Sequence, residues 1–207
     1  MKVLVTGAAG FIGRRLCDRL ASRGFEVVPT VRGGAARGPE TDWRGALAKQ
    51  PEVVVHLAAR VHVMNDDETD PLESYRAVNV EGSLNLARQA AAAGVRRFVL
   101  LSSIKVSGEC TEQGRPFTAD DAPASEDPYG ISKREAEQLL RQIAADTGME
   151  VVIIRPPLVY GPGVKANFES MMRWLVRGVP LPLAAVTDNR RSLVALDNLV
   201  DLIVTCL

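Results

Sequence analysis

Five short runs of apolar and β-branched residues recur along the chain: Lys2–Val5, Glu26–Val31, Glu52–Leu57, Arg96–Leu101 and Met149–Arg155. Each is nearly continuous rather than alternating, the pattern of strands covered on both faces. Between them lie stretches with helical spacing of apolar positions, Phe11–Arg23, Trp43–Lys49, Leu72–Ala93 and Pro128–Ala145. Gly24, Gly94 and Gly148 each stand between a helical stretch and a strand, where a left-handed cap is expected. Strand and helix in alternation predict an α/β protein, a Rossmann-like doubly wound parallel sheet.

Two regions break the rhythm. Arg32–Asp42 has three glycines and no apolar run, so the third strand expected there is short or missing. Ser107–Asp127 is rich in Gly, Pro, Thr, Asp and Glu and reads as a loop over the carboxyl ends of the strands, where sites in such sheets lie.

The composition excludes several classes. Twenty-five Lys and Arg balance 25 Asp and Glu, so there is no standing field for nucleic acid or an anionic membrane. Cys17, Cys110 and Cys206 form no metal-binding cluster and read as reduced thiols, and the apolar start at Met1 meets Gly7 too soon for a signal peptide. No stretch reaches the roughly 18 apolar residues of a membrane helix. The expectation is a cytoplasmic protein with no metal, membrane or nucleic-acid partner.

Gly7-Ala8-Ala9-Gly10-Phe11-Ile12-Gly13 leaves the first strand and opens the first helix. Gly7 permits the turn, Gly10 lets backbone approach a pyrophosphate, and Gly13 lets helix and sheet pack closely; the helix N-terminus then faces the anion. This predicts a dinucleotide. No carboxylate ends the second strand to bind ribose hydroxyls, and Arg32 stands there instead, suited to a 2′-phosphate. NADP(H) is therefore favoured, with NAD(H) as the alternative.

Ser103 ends the fourth run, and Tyr129 and Lys133 sit one turn apart on the helix that begins 26 residues after it. A phenol titrating near ~10 needs a neighbouring cation to act at neutral pH, which Lys133 supplies, while Ser103 fixes the substrate oxygen.

These motifs, with His56-Leu57-Ala58-Ala59, Asn79-Val80-Glu81-Gly82, Arg155-Pro156 and Val159-Tyr160-Gly161-Pro162-Gly163, resemble the extended short-chain dehydrogenase/reductase family in its sugar-nucleotide epimerase and reductase branch. The resemblance implies that Leu57, Ala58, Ala59 and Asn79 line the cofactor groove beside Gly7, Gly10, Phe11, Ile12 and Gly13. It makes Ser103, Tyr129 and Lys133 the catalytic residues and puts Pro156 near the nicotinamide. Ser103, Lys105, Asn167 and Arg191 are the substrate-binding candidates, the last two for a nucleotide-sugar diphosphate, with Arg190 equal to Arg191 on chemistry alone. Ile104 and Lys105 occupy positions where dehydratases carry Asp-Glu, which argues against dehydration.

The implied division is a dinucleotide-binding domain at 1–155 and the start of a small carboxyl-terminal substrate lobe at 156–207, cut short within a helical pattern. The implied activity is NAD(P)-dependent chemistry at C4 of a UDP-linked sugar, with reduction of a UDP-4-keto-hexosamine placed ahead of 4-epimerisation. A non-catalytic NADP-binding regulator is the third reading, opposed by the Tyr/Lys pair. Small and apolar residues on more than one face of Leu72–Ala93 and Pro128–Ala145 add the expectation of a homodimer.

Overall fold

A computed structural model describes residues 1–30, 38–61, 70–164, 166–180 and 190–207, with backbone only at 166 and 167. Five parallel strands form its main sheet: β1 (Lys2–Thr6), β2 (Glu26–Thr30), β3 (Val53–His56), β4 (Arg97–Leu101) and β5 (Glu150–Ile154), in spatial order β2-β1-β3-β4-β5. The chain runs outward from β1 to β2 and then returns to β1's other side at β3, where Thr6 is level with both Thr30 and His56. This reversal opens a crevice at the carboxyl ends of β1 and β3, the place where doubly wound sheets hold ligands.

Helices cover both faces, as the uninterrupted apolar strands require. On one face α2 (Arg44–Leu47), α4 (Gly82–Ala92) and α5 (Pro128–Thr147) bury Leu47, Leu84, Leu86, Ala87, Leu140 and Ile143 against Leu4, Val54, Phe98 and Leu100. On the other, α1 (Phe11–Ser22) and α7 (Leu196–Thr205) bury Leu16, Leu20, Leu199, Val200 and Ile203 against Val3, Val5, Val53, Val55 and Val99. Helix α7, which the sequence assigns to a second lobe, thus shares its core with the first strand and first helix. β6 (Leu158–Tyr160) and β7 (Leu193–Ala195) pair as a small second parallel sheet whose Val159 and Val194 pack against the same core as α7, and α6 (Ala166–Val176) lies between them in the chain.

The helices differ from the sequence expectation in two places. Trp43–Lys49 contracts to the single turn of α2. The stretch expected as one helix from Leu72 to Ala93 starts at α3 (Pro71–Tyr75), widens to a π-helical segment over Arg76–Glu81, and continues as α4. Hydrophobic periodicity does not register such an inserted residue, since the face is recovered a turn later. The glycine-rich region after β2 falls largely outside the described residues; residues 38–43 contain no strand.

Candidate active site

The glycine turn is sterically compulsory. Gly7 takes φ +70°, and a β-carbon there would lie 3.0 Å from the Ala58 amide nitrogen and 3.1 Å from the Leu57 carbonyl carbon. At Gly13 a β-carbon would be 2.1 Å from the Gly7 carbonyl oxygen, so only glycine lets α1 leave the sheet at this angle. Gly10 caps α1 with backbone alone; no side chain satisfies the first-turn amides and no acid occupies that turn. Free amides at a helix N-terminus, bare of carboxylates and bordered by a glycine cradle, fit the pyrophosphate of NAD(P).

Above this turn lies a cleft of about 1870 Å³. Gly10, Phe11, Ile12, Leu57, Ala59, Ser103, Lys105, Tyr129, Lys133 and Pro156 all line it, so the structure gathers most of the sequence candidates along one wall. Gly7, Gly13 and the buried Ala58 act behind that wall.

Asn79 departs from the expectation that it lines the groove. It is 1% exposed, within the π-helical segment; its Oδ1 accepts from the Arg60 amide (2.8 Å), and its Nδ2 donates to the Arg60 carbonyl and to Ser132 Oγ (both 3.0 Å). Asn79 therefore braces the loop after β3 against the Tyr129 helix, where Ser132 Oγ donates in turn to the Tyr129 carbonyl (2.8 Å).

A directed relay reaches the same asparagine from the sheet. The Ala58 amide donates to Thr6 Oγ1 (3.2 Å), which contacts His56 Nδ1 (2.7 Å); His56 Nε2 contacts Ser83 Oγ (3.0 Å), which donates to the Asn79 carbonyl (2.7 Å). Since Ser83 spends its proton on Asn79, His56 carries hydrogen on Nε2 and accepts at Nδ1.

Tyr129 follows Pro128 in the first turn of α5, whose N-terminus is fixed by the Asp127 carboxylate accepting from the Gly130 amide. Its hydroxyl shares a hydrogen bond with Ser103, and its ring meets Tyr75 edge-on at 6.0 Å. Lys133 is 2% exposed and donates from Nζ to the Leu101 carbonyl (2.8 Å). Burial pushes the phenol up to about 12, with the Asp127 charge and Tyr75 acting the same way and the Ser103 hydrogen bond opposing. Burial likewise pulls Lys133 down to about 8, against the attraction of Glu137. The lowering of Tyr129 expected from Lys133 does not register: burial raises the phenol, and the influence that opposes it is the Ser103 hydrogen bond.

Of the substrate candidates, Lys105 lines the cleft but its ammonium is paired with Asp127 and with Glu109 (3.1 Å), so it fastens the loop after β4 to the start of α5. Arg190 and Arg191 are exposed at the mouth of the cleft. Asn167 falls in α6, its side chain outside the described residues, and Arg32 lies outside them altogether.

Sequence reasoning missed Glu137. It lies one turn beyond Lys133 and two beyond Tyr129, is 2% exposed, and holds Arg155 through both carboxylate oxygens (2.6–3.2 Å) while accepting from Ser102 Oγ. The four-residue repeat Tyr129, Lys133, Glu137 was the available signal. No helix among the described residues is long and apolar enough to cross a membrane.

The sequence pattern of the NAD dependent epimerase/dehydratase family matches residues 3–207. The chain is 49% identical, over a 217-residue alignment, to a UDP-glucose 4-epimerase of Vibrio cholerae, covering 99% of this chain and 66% of that protein. It is 29% identical over 188 residues to the UDP-2-acetamido-2,6-beta-L-arabino-hexul-4-ose reductase of Pseudomonas aeruginosa, covering 88% and 43%. Among solved structures, UDP-glucose 4-epimerase of Thermotoga maritima with UDP-glucose superposes with a TM-score of 0.80 at 26% identity, over 100% of this chain and 73% of that one. The chain spans less than two thirds of many of its curated relatives, and 66% of the Vibrio protein.

Proposed function

The chain belongs to the NAD dependent epimerase/dehydratase family, and from that premise we propose that the protein is a UDP-sugar 4-epimerase working with a nicotinamide cofactor in the cleft above Gly7–Gly13. The observation that carries this reading is the 49% identity to the Vibrio cholerae 4-epimerase, which extends over 99% of the chain. The reductase reading, which comes first on sequence motifs alone, has the weaker support of 29% identity. It also leaned on Arg32, which lies outside the described residues.

On this reading Ser103 holds the O4 hydroxyl of the sugar and Tyr129 takes its proton. The chemistry the nicotinamide supplies when bound is acceptance of the C4 hydride and its return. Tyr129 gives the proton back to O4 once the ketone has presented its other face, so atoms and electrons balance over the cycle. Lys133 binds at the nicotinamide ribose and adds positive charge beneath the phenol, and Arg190 or Arg191 pairs with the diphosphate.

Residues 156–195 open the substrate-binding lobe, whereas α7 belongs to the dinucleotide-binding body. A cytoplasmic location and a two-fold dimer through α4 and α5 complete the reading. Light scattering at micromolar concentration checks the dimer, and a mass near that of one chain refutes it.

The test is to incubate the whole protein with UDP-galactose or UDP-N-acetylgalactosamine and no added reductant, and separately with a UDP-4-keto-6-deoxy sugar and NADPH. Interconversion of the first pair is expected. NADPH oxidation by the keto-sugar, with no interconversion of the others, would overturn the assignment in favour of the reductase.

A further inference from the structure

The carboxylate of Glu137 is 3% exposed, and its partners come from both strands that flank the site. Ser102, at the end of β4, donates to Oε1; Arg155, at the end of β5, donates from Nε to both oxygens and from Nη2 to Oε2 (2.6 Å). Backbone bonds stitch the same two chain ends together, the Ser102 amide to the Ile154 carbonyl (2.7 Å) and the Ile104 amide to the Pro156 carbonyl (3.1 Å). Arg155 Nη1 reaches on to Ser107 Oγ (3.4 Å).

Ser102 sits between two residues that the proposed chemistry uses. Leu101, before it, presents the carbonyl that receives the Lys133 ammonium, and Ser103, after it, shares a hydrogen bond with Tyr129. A carboxylate that fixes Ser102 therefore fixes the peptide on both sides. It is also the charge one helical turn from a fully buried ammonium, in a place where water cannot screen it.

We propose that Glu137 is a positioning residue for the proposed active site: it clamps the ends of β4 and β5 so that Ser103 and the Leu101 carbonyl are held in place, and it sets a buried counter-charge one helical turn from the Lys133 ammonium. The inference rests on the catalytic reading of Ser103, Tyr129 and Lys133.

Several charged and titratable groups surround Lys133. Tyr129 and Glu137 share its helix, Arg155 lies at the end of β5, and Tyr75 is on α3. Lys105 and Asp127 form their own ion pair at the cleft rim, and Arg76 and Glu135 pair across the outer side of α5. Among them Glu137 is the one whose charge registers on Lys133, and it acts to hold the proton. With Gln at 137 the ammonium would keep its burial and lose its counter-charge, so it should release its proton at lower pH.

The chain has five lysines, so the amine of Lys133 can be followed directly by the pH dependence of its ¹³Cε resonance, assigned with Lys133→Met. The wild-type midpoint is expected near 8, and in Glu137→Gln lower by about one pH unit or more. Glu137→Asp, which keeps the charge, should restore most of the difference. If Glu137→Gln alone fails to fold because Arg155 is left unpaired, Glu137→Gln combined with Arg155→Met removes both charges together and should show a smaller downward displacement, since loss of the Arg155 charge partly offsets loss of the carboxylate. An unchanged Lys133 midpoint in either folded variant overturns the proposal.

The midpoint is read without cofactor or substrate, so this result stands apart from the assignment of activity. A displaced midpoint in a protein that turns over neither substrate pair supports the role of Glu137 and counts against the proposed function alone. Where the wild type does turn over, the falling high-pH limb of kcat should move to lower pH with the amine, a change that a purely structural loss would not produce.

Discussion

Tyr129 and Lys133 lie one turn apart on α5, yet their polar atoms face different partners. The phenol shares a hydrogen bond with Ser103, whereas the ammonium donates to the Leu101 carbonyl at 2.8 Å. Burial shifts the two in opposite directions, to about 12 and about 8. By itself the protein holds a neutral phenol beside a weakly basic amine, and a nearby cationic nicotinamide would favour the phenolate.

The first prediction concerns that phenol. Tyr129→Phe removes the ionisable oxygen and leaves the ring against Tyr75, so turnover should fall by about 10²–10⁴-fold while cofactor affinity stays nearly intact. Steady-state kinetics with calorimetry for the cofactor checks it; a variant that keeps most of its kcat would move the proton-transfer role to another residue.

Lys133 carries a stability cost. Its folded-state pKa lies below the ordinary 10.5, so its contribution is most favourable above pH 10.5 and is lost as pH falls towards about 8. Lys133→Met should stabilise the protein at pH 7 by about 1–2 kcal/mol, since relief of the buried charge exceeds the lost hydrogen bond to Leu101. Thermal unfolding of both proteins from pH 7 to 10 should show this advantage shrinking as pH rises. An advantage that grows with pH, or a less stable variant at pH 7, contradicts the cited burial effect.

The glycines of the turn should separate by distance. Gly13→Ala places a β-carbon 2.1 Å from the Gly7 carbonyl and should destabilise the fold by about 3 kcal/mol or more. At Gly10 the corresponding distance is 3.1 Å, so Gly10→Ala should fold and lose chiefly affinity for the dinucleotide. Denaturant titration paired with cofactor calorimetry distinguishes them; equal stability losses would refute the steric account.

Arg32 follows a strand that has no ribose-binding carboxylate at its end. Arg32→Ala should weaken NADPH binding by about tenfold or more and leave NADH nearly unchanged, as expected for loss of a charge-assisted phosphate contact. Calorimetry with both cofactors is the measurement, and an equal effect on the two would remove Arg32 from cofactor selection.

The sequence by itself determined the features governed by local sterics and short-range periodicity. Uninterrupted apolar runs specify strands buried on both faces, and a four-residue spacing puts Tyr129 and Lys133 on one side of a helix. Glycine at 13 is compulsory because a β-carbon there would strike backbone within the same turn, whereas at Gly7 the obstruction comes from Leu57 and Ala58 on the neighbouring strand's loop. What the tertiary structure decided depends on neighbours distant in the chain. Glu137 is a generic helical acid until Ser102, 35 residues away, and Arg155, 18 residues away, converge on it. Lys105 becomes a fastener for the loop only because Asp127 lies beside it, and Asn79 a brace only because a π-helical widening sets it between Arg60 and Ser132. The protonation preferences of Tyr129 and Lys133 follow the same rule: desolvation is a property of everything packed around a group, and no local pattern of residues encodes it.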